Sequence, residues 1–449
     1  MRTEWSLGIG EVARNLSLSV LFLLSLVTAC GSDEKAEDER PRVERAPEIP
    51  VVIDQGAPVV VGVSAPLTGP DARTGTEDRD AVIAAVARWK EDNGATIRGH
   101  EVEVLAEDDG CTEADIAAEA ARRLAAQPTV VGVIGPNCSA GTAAALSIYA
   151  EAGITSISGS ATQSDLTTNQ PPGGFFFRTA YRNDLVGALI GLFVSFDLNA
   201  RTAYLIDDSE SYGQDLADRA QAIMERNDVT VARVGIERGT VDFRELAQQI
   251  ARDDPDVVGF MGFNPEAALL YRQLRDAEFD GVFGGGDAAA TPEFIEGAGD
   301  VSEGVLFAGC QLPLPDAFVA GLEAIHEHRP GTSSFTAQQA DATTILLNAV
   351  ADVAEEQADG SLVIEPTELR DAVRTVGLQD GLSGSFTFDA NGDRVPVDGA
   401  TLPAVVNEAL ATQDLDALAE LGLVACQIQG GELVNLTGPG AQPMTADGP

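Results

Sequence analysis

The stretch "VVGVIGPNCSAGTAAAL", Val130 to Leu146, joins an apolar run of strand type to an alanine-rich run of helix type. The strand-type run ends at Gly135-Pro136, and the helical run begins after Ser139. The turn between them carries Cys138 and Ser139, two potential nucleophiles. From these residues alone, the turn is compatible with a nucleophile elbow, a phosphate-binding loop or a less reactive loop that starts a helix.

The same order of strand and helix recurs along the chain. It starts at Pro58 with "PVVVGVSAPLTG", and it restarts after "FFFRTA" with the strand-type runs "TAYLIDD", "VTVARVGI", "DVVGFMGF" and "GVFGGGD". Strands that are each followed by a helix favour parallel sheets covered on both faces. The predicted fold class is therefore α/β, with two doubly wound parallel-sheet units. A final hairpin is predicted with Gly430-Gly431 at its turn.

The first helical run is amphipathic. Thr76 is a candidate cap, which places Glu77 and Asp78 in the first turn, where acidic side chains favour the helix dipole. The apolar face is formed by Val82, Ile83, Val86 and Trp89. This spacing predicts that the face, including the tryptophan, packs into a core.

Length and charge limit the class of partner. The chain has 449 residues, which suits two to three domains. It carries 71 acidic and 28 basic residues, a formal net charge of −43. Such a surface repels nucleic acid and anionic lipid headgroups, so small solutes or basic proteins are the expected partners. Solubility in a salty habitat is the simplest interpretation of the acidity itself.

The N-terminus carries a targeting signal. The segment "LSLSVLFLLSLVTAC", Leu16 to Cys30, has an apolar core too short for a membrane span and ends in small residues. Because "VTAC" resembles a bacterial lipoprotein box, we expect a signal peptide over residues 1–29, lipidation of Cys30 and an acidic flexible tether over residues 30–56. The predicted location is extracytoplasmic, with the lipid anchor as the only membrane contact. Ordinary secretion with cleavage nearby is the alternative.

Histidine content argues against catalysis. A cysteine hydrolase needs a histidine beside its thiolate, and the chain has only His100, His326 and His328. His100 lies in the turn-like "RGHEVEV" and is expected to be exposed. His326 and His328 are two residues apart on a helical run, which points them in different directions and disfavours a metal site. We therefore predict no enzymatic activity, no cofactor and no metal.

Polar residues cluster where the predicted strands end. In open α/β sheets, ligands bind outside the carboxyl ends of the strands. The clusters are Ser64 to Thr68, Asp108-Asp109, Asn137 to Ser139 and Ser158 to Thr162 in the first unit, and Asp207 to Tyr212, Asn264 and Asp287 in the second. Two such rims facing each other would form a cleft between two lobes.

Seven short motifs occur in a consistent order between about Val59 and Asp393. They are "SAPLTGP", "EDDGC", "GPNCSAGT", "ISGSAT", "FRT", "YGQDLA" and "FDANGD". In this order the chain resembles the type I periplasmic binding proteins, in particular the leucine/isoleucine/valine-binding proteins that feed ABC importers. The resemblance implies a Venus-flytrap fold whose lobes are joined by a multi-crossover hinge. Lobe 1 would comprise residues 57–180 with 308–395, and lobe 2 residues 181–307 with 396–449.

The resemblance also implies a ligand site. Ser139 would bind a ligand carboxylate, Ser160 and Thr162 the amino-acid head group, and Asp287 the ligand ammonium. Tyr212 would line the second lobe, and Tyr181 is a weaker candidate. The sequence departs from the family at Gly159, which replaces a proline, and at Asp287, which replaces a glutamate one methylene longer.

Four cysteines remain once Cys30 is assigned to lipid, an even number suited to an oxidising compartment. The resemblance implies a disulfide between Cys111 and Cys138. A second disulfide between Cys310 and Cys426, near the hinge, is a hypothesis, with two buried free cysteines as the alternative.

The implied function is capture of a small amino acid, with a branched aliphatic one as the first candidate, and its delivery to ABC permease subunits. One alternative is a sensing module that reports ligand to a receptor or sensor kinase. The other is a different ligand, such as an amide, urea or an aromatic acid.

Overall fold

The computed structural model describes residues 44–170, 174–325, 331, 333–397, 404, 408, 411–412, 422–438 and 441–445. The predicted signal peptide, Cys30, most of the predicted tether, His326 and His328 lie outside the described residues. No helix in the described ranges is both long enough and apolar enough to cross a membrane.

The strands are numbered in chain order. They are β1 Val51–Ile53, β2 Val59–Ala65, β3 Thr96–Ile97, β4 His100–Asp108, β5 Val130–Ile134, β6 Thr155–Ser158, β7 Phe176–Arg178, β8 Thr202–Asp207, β9 Thr230–Gly235, β10 Val257–Met261, β11 Val282–Gly285, β12 Leu306–Ala308, β13 Glu355–Glu356, β14 Leu362–Ile364, β15 Leu378–Gly381, β16 Gly384–Phe388, β17 Arg394–Val395, β18 Ala425–Gln429 and β19 Glu432–Asn435.

The α-helices are numbered in the same way. They are α1 Ala72–Asn93, α2 Ala114–Ala125, α3 Ser139–Glu151, α4 Asn183–Leu192, α5 Ser211–Arg226, α6 Arg244–Asp253, α7 Glu266–Asp276, α8 Pro292–Ala298, α9 Asp316–Ile325, α10 Thr336–Val353 and α11 Pro366–Val376. A π-helical turn, Phe193–Asp197, follows α4, and a 3-10 turn, Asp287–Ala289, follows β11.

The sheet of the first lobe has the strand order β3-β4-β2-β5-β6-β7. Its central strand β2, "VVVGVSA", is buried at every position because helices cover both faces, as expected of a parallel sheet. One face packs against α1 and α10, where Val86 and Leu346 join one core cluster. The other face packs against α2 and α3, through side chains such as Leu124 and Tyr149. Trp89 is 5% exposed in the first of these cores, as its spacing predicted.

The sheet of the second lobe has the order β19-β18-β12-β11-β10-β8-β9. The four strands predicted after "FFFRTA" are confirmed as β8 to β11. Strand β18 is antiparallel to β12 and forms the predicted hairpin with β19. Gly430 and Gly431 have φ of 62° and 79° there, a region that glycine adopts without steric cost. The chain passes from the first sheet to the second between β7 and β8. After β12, strands β13 to β17 form two three-stranded sheets, β1-β14-β13 and β15-β16-β17, and β18 then returns to the second large sheet.

Two expectations are wrong. Strand β1 pairs antiparallel with β14, Val51 opposite Ile364, so these residues belong to the first lobe although the tether was expected to reach residue 56. Val51 and Ile53, at alternate positions, bury one face of this strand, and the acidic residues that precede it give no sign of a strand. His100 is 3% exposed instead of lying on the surface, because its ring is hydrogen-bonded to the carbonyl oxygens of Ala57 and Gly360.

Both cysteine pairs form disulfides. Cys111 is bonded to Cys138, with their Cα atoms 5.0 Å apart, and this bond ties the loop after β4 to the start of α3. Cys310 is bonded to Cys426, with Cα atoms 6.1 Å apart, and this bond joins the end of β12 to β18. Neither pair therefore supplies a free thiol.

An ion pair in the hinge connects two of the sequence motifs. Arg178 of "FRT" and Asp393 of "FDANGD" are both 0% exposed, and Arg178 Nε lies 2.6 Å from Asp393 Oδ1. Arg182 Nη1 lies 2.9 Å from the other carboxylate oxygen. The first crossover and the end of the first lobe are thus joined by buried charges.

Candidate functional site

A cavity of about 80 Å³ lies between the lobes. It has room for several water molecules or one small solute. Its polar lining from the first lobe includes Asn137, Ser139 and Ser160, and its polar lining from the second includes Tyr212, Asn264 and Asp287. These residues follow the carboxyl ends of strands in both sheets, which is where the topology of an open α/β sheet places a ligand.

The wall from the first lobe is built around the start of α3. Cys138 precedes the helix in an extended conformation, and its disulfide to Cys111 fixes the turn. Ser139, the first helical residue, is 3% exposed, and its hydroxyl oxygen accepts a hydrogen bond of 3.2 Å from the Gln163 amide. Its hydroxyl hydrogen can therefore be donated to a ligand. The amides of a first helical turn lack partners within the helix and carry partial positive charge, so this wall favours an anion.

A buried polar network supports the same wall. Asp78 accepts hydrogen bonds from the Ser333 hydroxyl, at 2.6 Å, and from the Asn137 side-chain amide. Asn137 in turn accepts from Gln339 at 3.2 Å and, through its carbonyl, from the Ser160 hydroxyl at 2.9 Å. These bonds fix the positions of Asn137 and Ser160 at the cavity surface.

Asp78 lines the cavity, although the sequence does not predict it as a ligand-site residue. The helix starts at Ala72 instead of after Thr76, so Asp78 lies within α1 and not in its first turn. The signal was present in the sequence, since Asp78 lies one turn before Val82 on the same apolar face. An acidic residue on a core-facing stripe indicates a buried partner or a ligand.

The wall from the second lobe presents a carboxylate. Asp287 is 2% exposed, and its Oδ1 accepts a hydrogen bond of 2.7 Å from the Tyr212 hydroxyl. Its Oδ2 has no hydrogen-bond partner in the described part of the chain. Burial raises the pKa of Asp287 to about 7, although the bonds from Tyr212 and from the Ala288 amide lower it. A buried carboxylate with a free oxygen is stabilised by a cationic partner, so this wall favours a cation.

The cavity does not include all six predicted ligand residues. Ser139, Ser160, Tyr212 and Asp287 line it. Tyr181 lies behind the wall, where its hydroxyl donates to the Gly309 carbonyl at 3.0 Å and its ring packs on Phe335.

Thr162 is also behind the wall and is 1% exposed, with its hydroxyl oxygen lacking a partner among the described residues. Sequence reasoning missed the aromatic lining residues Phe263 and Phe335, which carry no polar signal.

Ion pairs cross between the lobes at the edge of the cavity. Arg73 of the first lobe lies 2.9 Å from Glu293 and 3.1 Å from Glu296, both on α8 of the second lobe. Asp71, two residues before Arg73, lies 2.5 Å from Arg238 of the second lobe. The lobes are therefore in contact, and their facing surfaces have complementary charge.

We expect these contacts to favour the closed arrangement in low salt. Reversing one charge, Arg73→Glu, should raise the radius of gyration of the ligand-free protein in X-ray scattering at low ionic strength. The double change Glu293→Arg with Glu296→Arg should restore the compact value when combined with it. Because the pairs are partly exposed, each is expected to contribute about 0.5–1 kcal/mol, and the effect should fade in high salt.

Arg88→Glu is the control, because Arg88 is on the same helix and pairs with Asp92 on an exposed surface. A radius that does not change with Arg73→Glu, or that changes equally with Arg88→Glu, would contradict the prediction.

Four buried aspartates predict an unusual dependence of stability on pH. Burial raises the pKa of Asp78, Asp208 and Asp287 to about 7 and that of Asp109 to about 6. Their unfolded values are about 4, so between these limits the folded protein binds more protons than the unfolded chain. The free energy of unfolding should therefore increase as pH falls from 8 to about 5, which thermal melts can measure.

The variant Asp208→Asn isolates one of these groups from the general effect of net charge. It should be more stable than the parent at pH 8 and should show a smaller gain on acidification. Equal pH dependence in both proteins would rule out Asp208 as a contributor.

Comparisons with known proteins agree on one family. The family described as periplasmic binding protein matches residues 58–407. An amino acid binding protein of Pseudomonas aeruginosa is 35% identical over 247 residues, which cover 54% of this chain and 64% of that protein. A leucine-, isoleucine-, valine-, threonine- and alanine-binding protein of the same organism is 27% identical over 344 residues, covering 75% of this chain and 87% of that protein.

A solved structure shows the same fold. It is a branched-chain amino acid transporter substrate-binding protein of Streptococcus pneumoniae in complex with isoleucine. Its TM-score is 0.68 at 23% identity, over 84% of this chain and 99% of that one. In the described ranges, no cluster of three or more His, Cys, Asp or Glu side chains could hold a metal ion. The chain belongs to the periplasmic binding protein family, whose members bind solutes outside the cytoplasm.

Proposed function

We propose that this protein captures a small amino acid between its lobes and delivers it to an ABC importer. The observation that carries the proposal is that the two walls offer opposed contacts, since the acidic group of the first wall, Asp78, is already hydrogen-bonded to Ser333 and Asn137. The start of α3, with the Ser139 hydroxyl, favours an anion, and Asp287 on the facing wall has a buried carboxylate oxygen without a partner. A zwitterionic α-amino acid has one group for each wall.

The two charged contacts are mutually dependent. Burying the ligand carboxylate or Asp287 without a partner would be costly, whereas pairing each of them forms charge-assisted hydrogen bonds. Contact between the lobes excludes water, which lowers the effective dielectric and strengthens both pairs. Ligands that lack either the ammonium or the carboxylate should therefore bind much more weakly.

The remaining lining supports a ligand with a small, partly apolar side chain. Pro66, Pro70, Phe263 and Phe335 contribute apolar surface to the cavity. A branched aliphatic amino acid is the first candidate, which is supported by the ligands that the names of the relatives state. Asp287, being shorter than glutamate, requires the ammonium to approach the second lobe closely.

The predicted N-terminal signal and the family support the proposed location and partner. Lipidation at Cys30 would hold the folded domain outside the cytoplasmic membrane, within reach of permease subunits. Replacement of Cys30 by alanine should release the protein from membranes into the soluble extracytoplasmic fraction. Retention of the variant in the membrane fraction would contradict anchoring at that residue.

A thermal-shift screen of the mature protein tests the proposed function. The panel contains amino acids, their amides, urea and aromatic acids, each at concentrations up to about a hundred times the expected Kd. Binding at that ratio stabilises the folded state by about 2.7 kcal/mol, which is a shift of several degrees. Stabilisation by aromatic or simple carboxylic acids, with no response to any amino acid, would contradict the proposal.

A further inference from the structure

Asn264, like Asp287, brings to the cavity a buried acceptor atom that has no partner among the described residues. Asn264 follows β10 and lines the cavity, and its Oδ1 has no hydrogen-bond partner in the described part of the chain. Its Nδ2 donates to the Thr291 hydroxyl at 2.9 Å and more weakly to the Ala289 carbonyl at 3.4 Å. The Ala289 carbonyl can only accept a hydrogen bond, so its contact identifies the near end of the amide as the nitrogen, and the oxygen is left unsatisfied.

The residues around Asn264 do not supply the missing donor. The Thr291 hydroxyl contacts the nitrogen end of the Asn264 amide and not its oxygen, and Glu293 is an acceptor that lies 2.9 Å from Arg73. The ring of Phe263, the neighbour in sequence, has no donor. A buried acceptor is rarely left without a partner, so a donor is expected from the bound solute.

The position of Asn264 assigns this donor to the side chain of the ligand. An amino acid with its carboxylate at Ser139 and its ammonium at Asp287 has one substituent left to place. The lining that remains on the second lobe is formed by Phe263, Asn264, Ala288, Thr291 and Glu293, and Glu293 is paired with Arg73. The side chain of the ligand therefore meets one apolar ring and one unsatisfied amide oxygen.

We propose that Asn264 determines specificity by accepting a hydrogen bond from the ligand side chain. This inference rests on the proposed function: it keeps capture of an amino acid and places amino acids with a side-chain donor ahead of the branched aliphatic ones. The preferred ligand is a small amino acid whose side chain carries a hydroxyl or amide donor. Threonine, which has the branched shape of valine and also a hydroxyl, fits both the amide oxygen and the apolar surface.

Threonine and valine make a matched pair of probes, since they have nearly the same shape. Valine would leave the Asn264 oxygen buried and unpaired, and a loss of this kind weakens binding by about tenfold or more. Asparagine and leucine form a second pair of similar size. The measured quantity is the ratio of the two Kd values within each pair, obtained by isothermal titration calorimetry of the mature protein.

Two variants separate the role of the acceptor from that of packing. Asn264→Leu keeps a similar volume and removes the acceptor, so the valine-to-threonine Kd ratio should fall from about 10 or more to 1 or below. Asn264→Asp keeps an acceptor oxygen at this position and should retain the preference for threonine. Thermal melts of both variants show whether they fold. The valine-to-threonine Kd ratio of the unaltered protein tests the proposal even if a variant fails to fold.

The possible outcomes are distinct. Equal affinity of the unaltered protein for threonine and valine, or a ratio that Asn264→Leu leaves unchanged, would overturn the role of Asn264 while amino-acid capture stands. A ratio that falls with Asn264→Leu and persists with Asn264→Asp supports it. Failure of every amino acid to bind would overturn both this inference and the proposed function.

Discussion

Replacing Asp393 by alanine is expected to lower the free energy of unfolding by about 3–5 kcal/mol. The change leaves the guanidinium of Arg178 buried at 0% exposure without its carboxylate, which lies 2.6 Å away in the folded protein. Burial alone would raise the pKa of Asp393, but the charges of Arg178 and Arg182 outweigh burial and lower it. The carboxylate is therefore ionised in the folded state, and its removal leaves the positive charge of Arg178 without this counter-ion.

The loss should extend to the cavity. Arg178 also donates to the carbonyl oxygens of Ala161 and Gln163, at 3.0 and 2.7 Å, and thereby holds the loop that follows Ser160. An arginine that no longer has its counter-ion is expected to move toward water and to loosen this loop. Asp393→Ala should thus weaken ligand binding as well as folding.

Urea denaturation of matched variants measures the effect. Asp92→Ala is the control, because Asp92 pairs with Arg88 at 3.8 Å and the two side chains are 68% and 55% exposed. Exposed pairs of this kind contribute little, so the control should change the free energy of unfolding by less than about 0.5 kcal/mol. Similar losses in the two variants would show that the buried pair has no special role.

The sequence predicts local features of this protein well because they depend on nearby residues. The apolar run Val130–Ile134 and the alanine-rich run after it form β5 and α3, since strand and helix periodicity are local properties. The Gly430-Gly431 hairpin follows from turn chemistry in the same way. The family resemblance also predicts the disulfide between Cys111 and Cys138, which are 27 residues apart.

Contacts between residues that are far apart in sequence cannot be predicted from any short segment. Arg178 and Asp393 are 215 residues apart, and each one alone is an ordinary polar residue of a motif. The pairing of Arg73 with Glu293 depends on how far the two lobes close, which a local pattern does not encode. From the sequence alone, strand β1 resembles the end of a tether, because its partner β14 follows it by more than 300 residues.

Replacing Asp287 by asparagine is expected to weaken amino-acid binding by about 2–5 kcal/mol, some 30- to 5000-fold in Kd. The variant keeps the shape of the side chain and can still accept from the Tyr212 hydroxyl, which lies 2.7 Å from Oδ1. It lacks the negative charge, so the buried ammonium of the ligand would have no counter-ion. Most of the expected loss is the cost of burying that unpaired charge.

The same substitution should maintain or raise the stability of the ligand-free protein at pH 8. Burial raises the pKa of Asp287 to about 7, so at pH 8 the carboxylate is largely charged and destabilises the ligand-free protein. Asparagine removes this charge, and the thermal midpoint of the ligand-free variant at pH 8 should equal or exceed that of the parent. A loss of binding that accompanies unchanged or greater stability indicates a ligand contact instead of a defect in folding.

Asp208→Asn is the matched control for this pair of effects. Asp208 is buried at 1% exposure, its pKa is also raised to about 7 by burial, and it is not part of the cavity lining. It shares the buried charge of Asp287 but has no proposed ligand, so its replacement should raise stability at pH 8 and leave Kd within about twofold. If Asp287→Asn bound amino acids as tightly as the parent, or if both variants lost affinity equally, Asp287 would not be the partner of the ammonium. Loss of affinity in Asp287→Asn alone would assign the cationic end of the ligand to the second lobe, because the two variants differ only in which buried carboxylate faces the cavity.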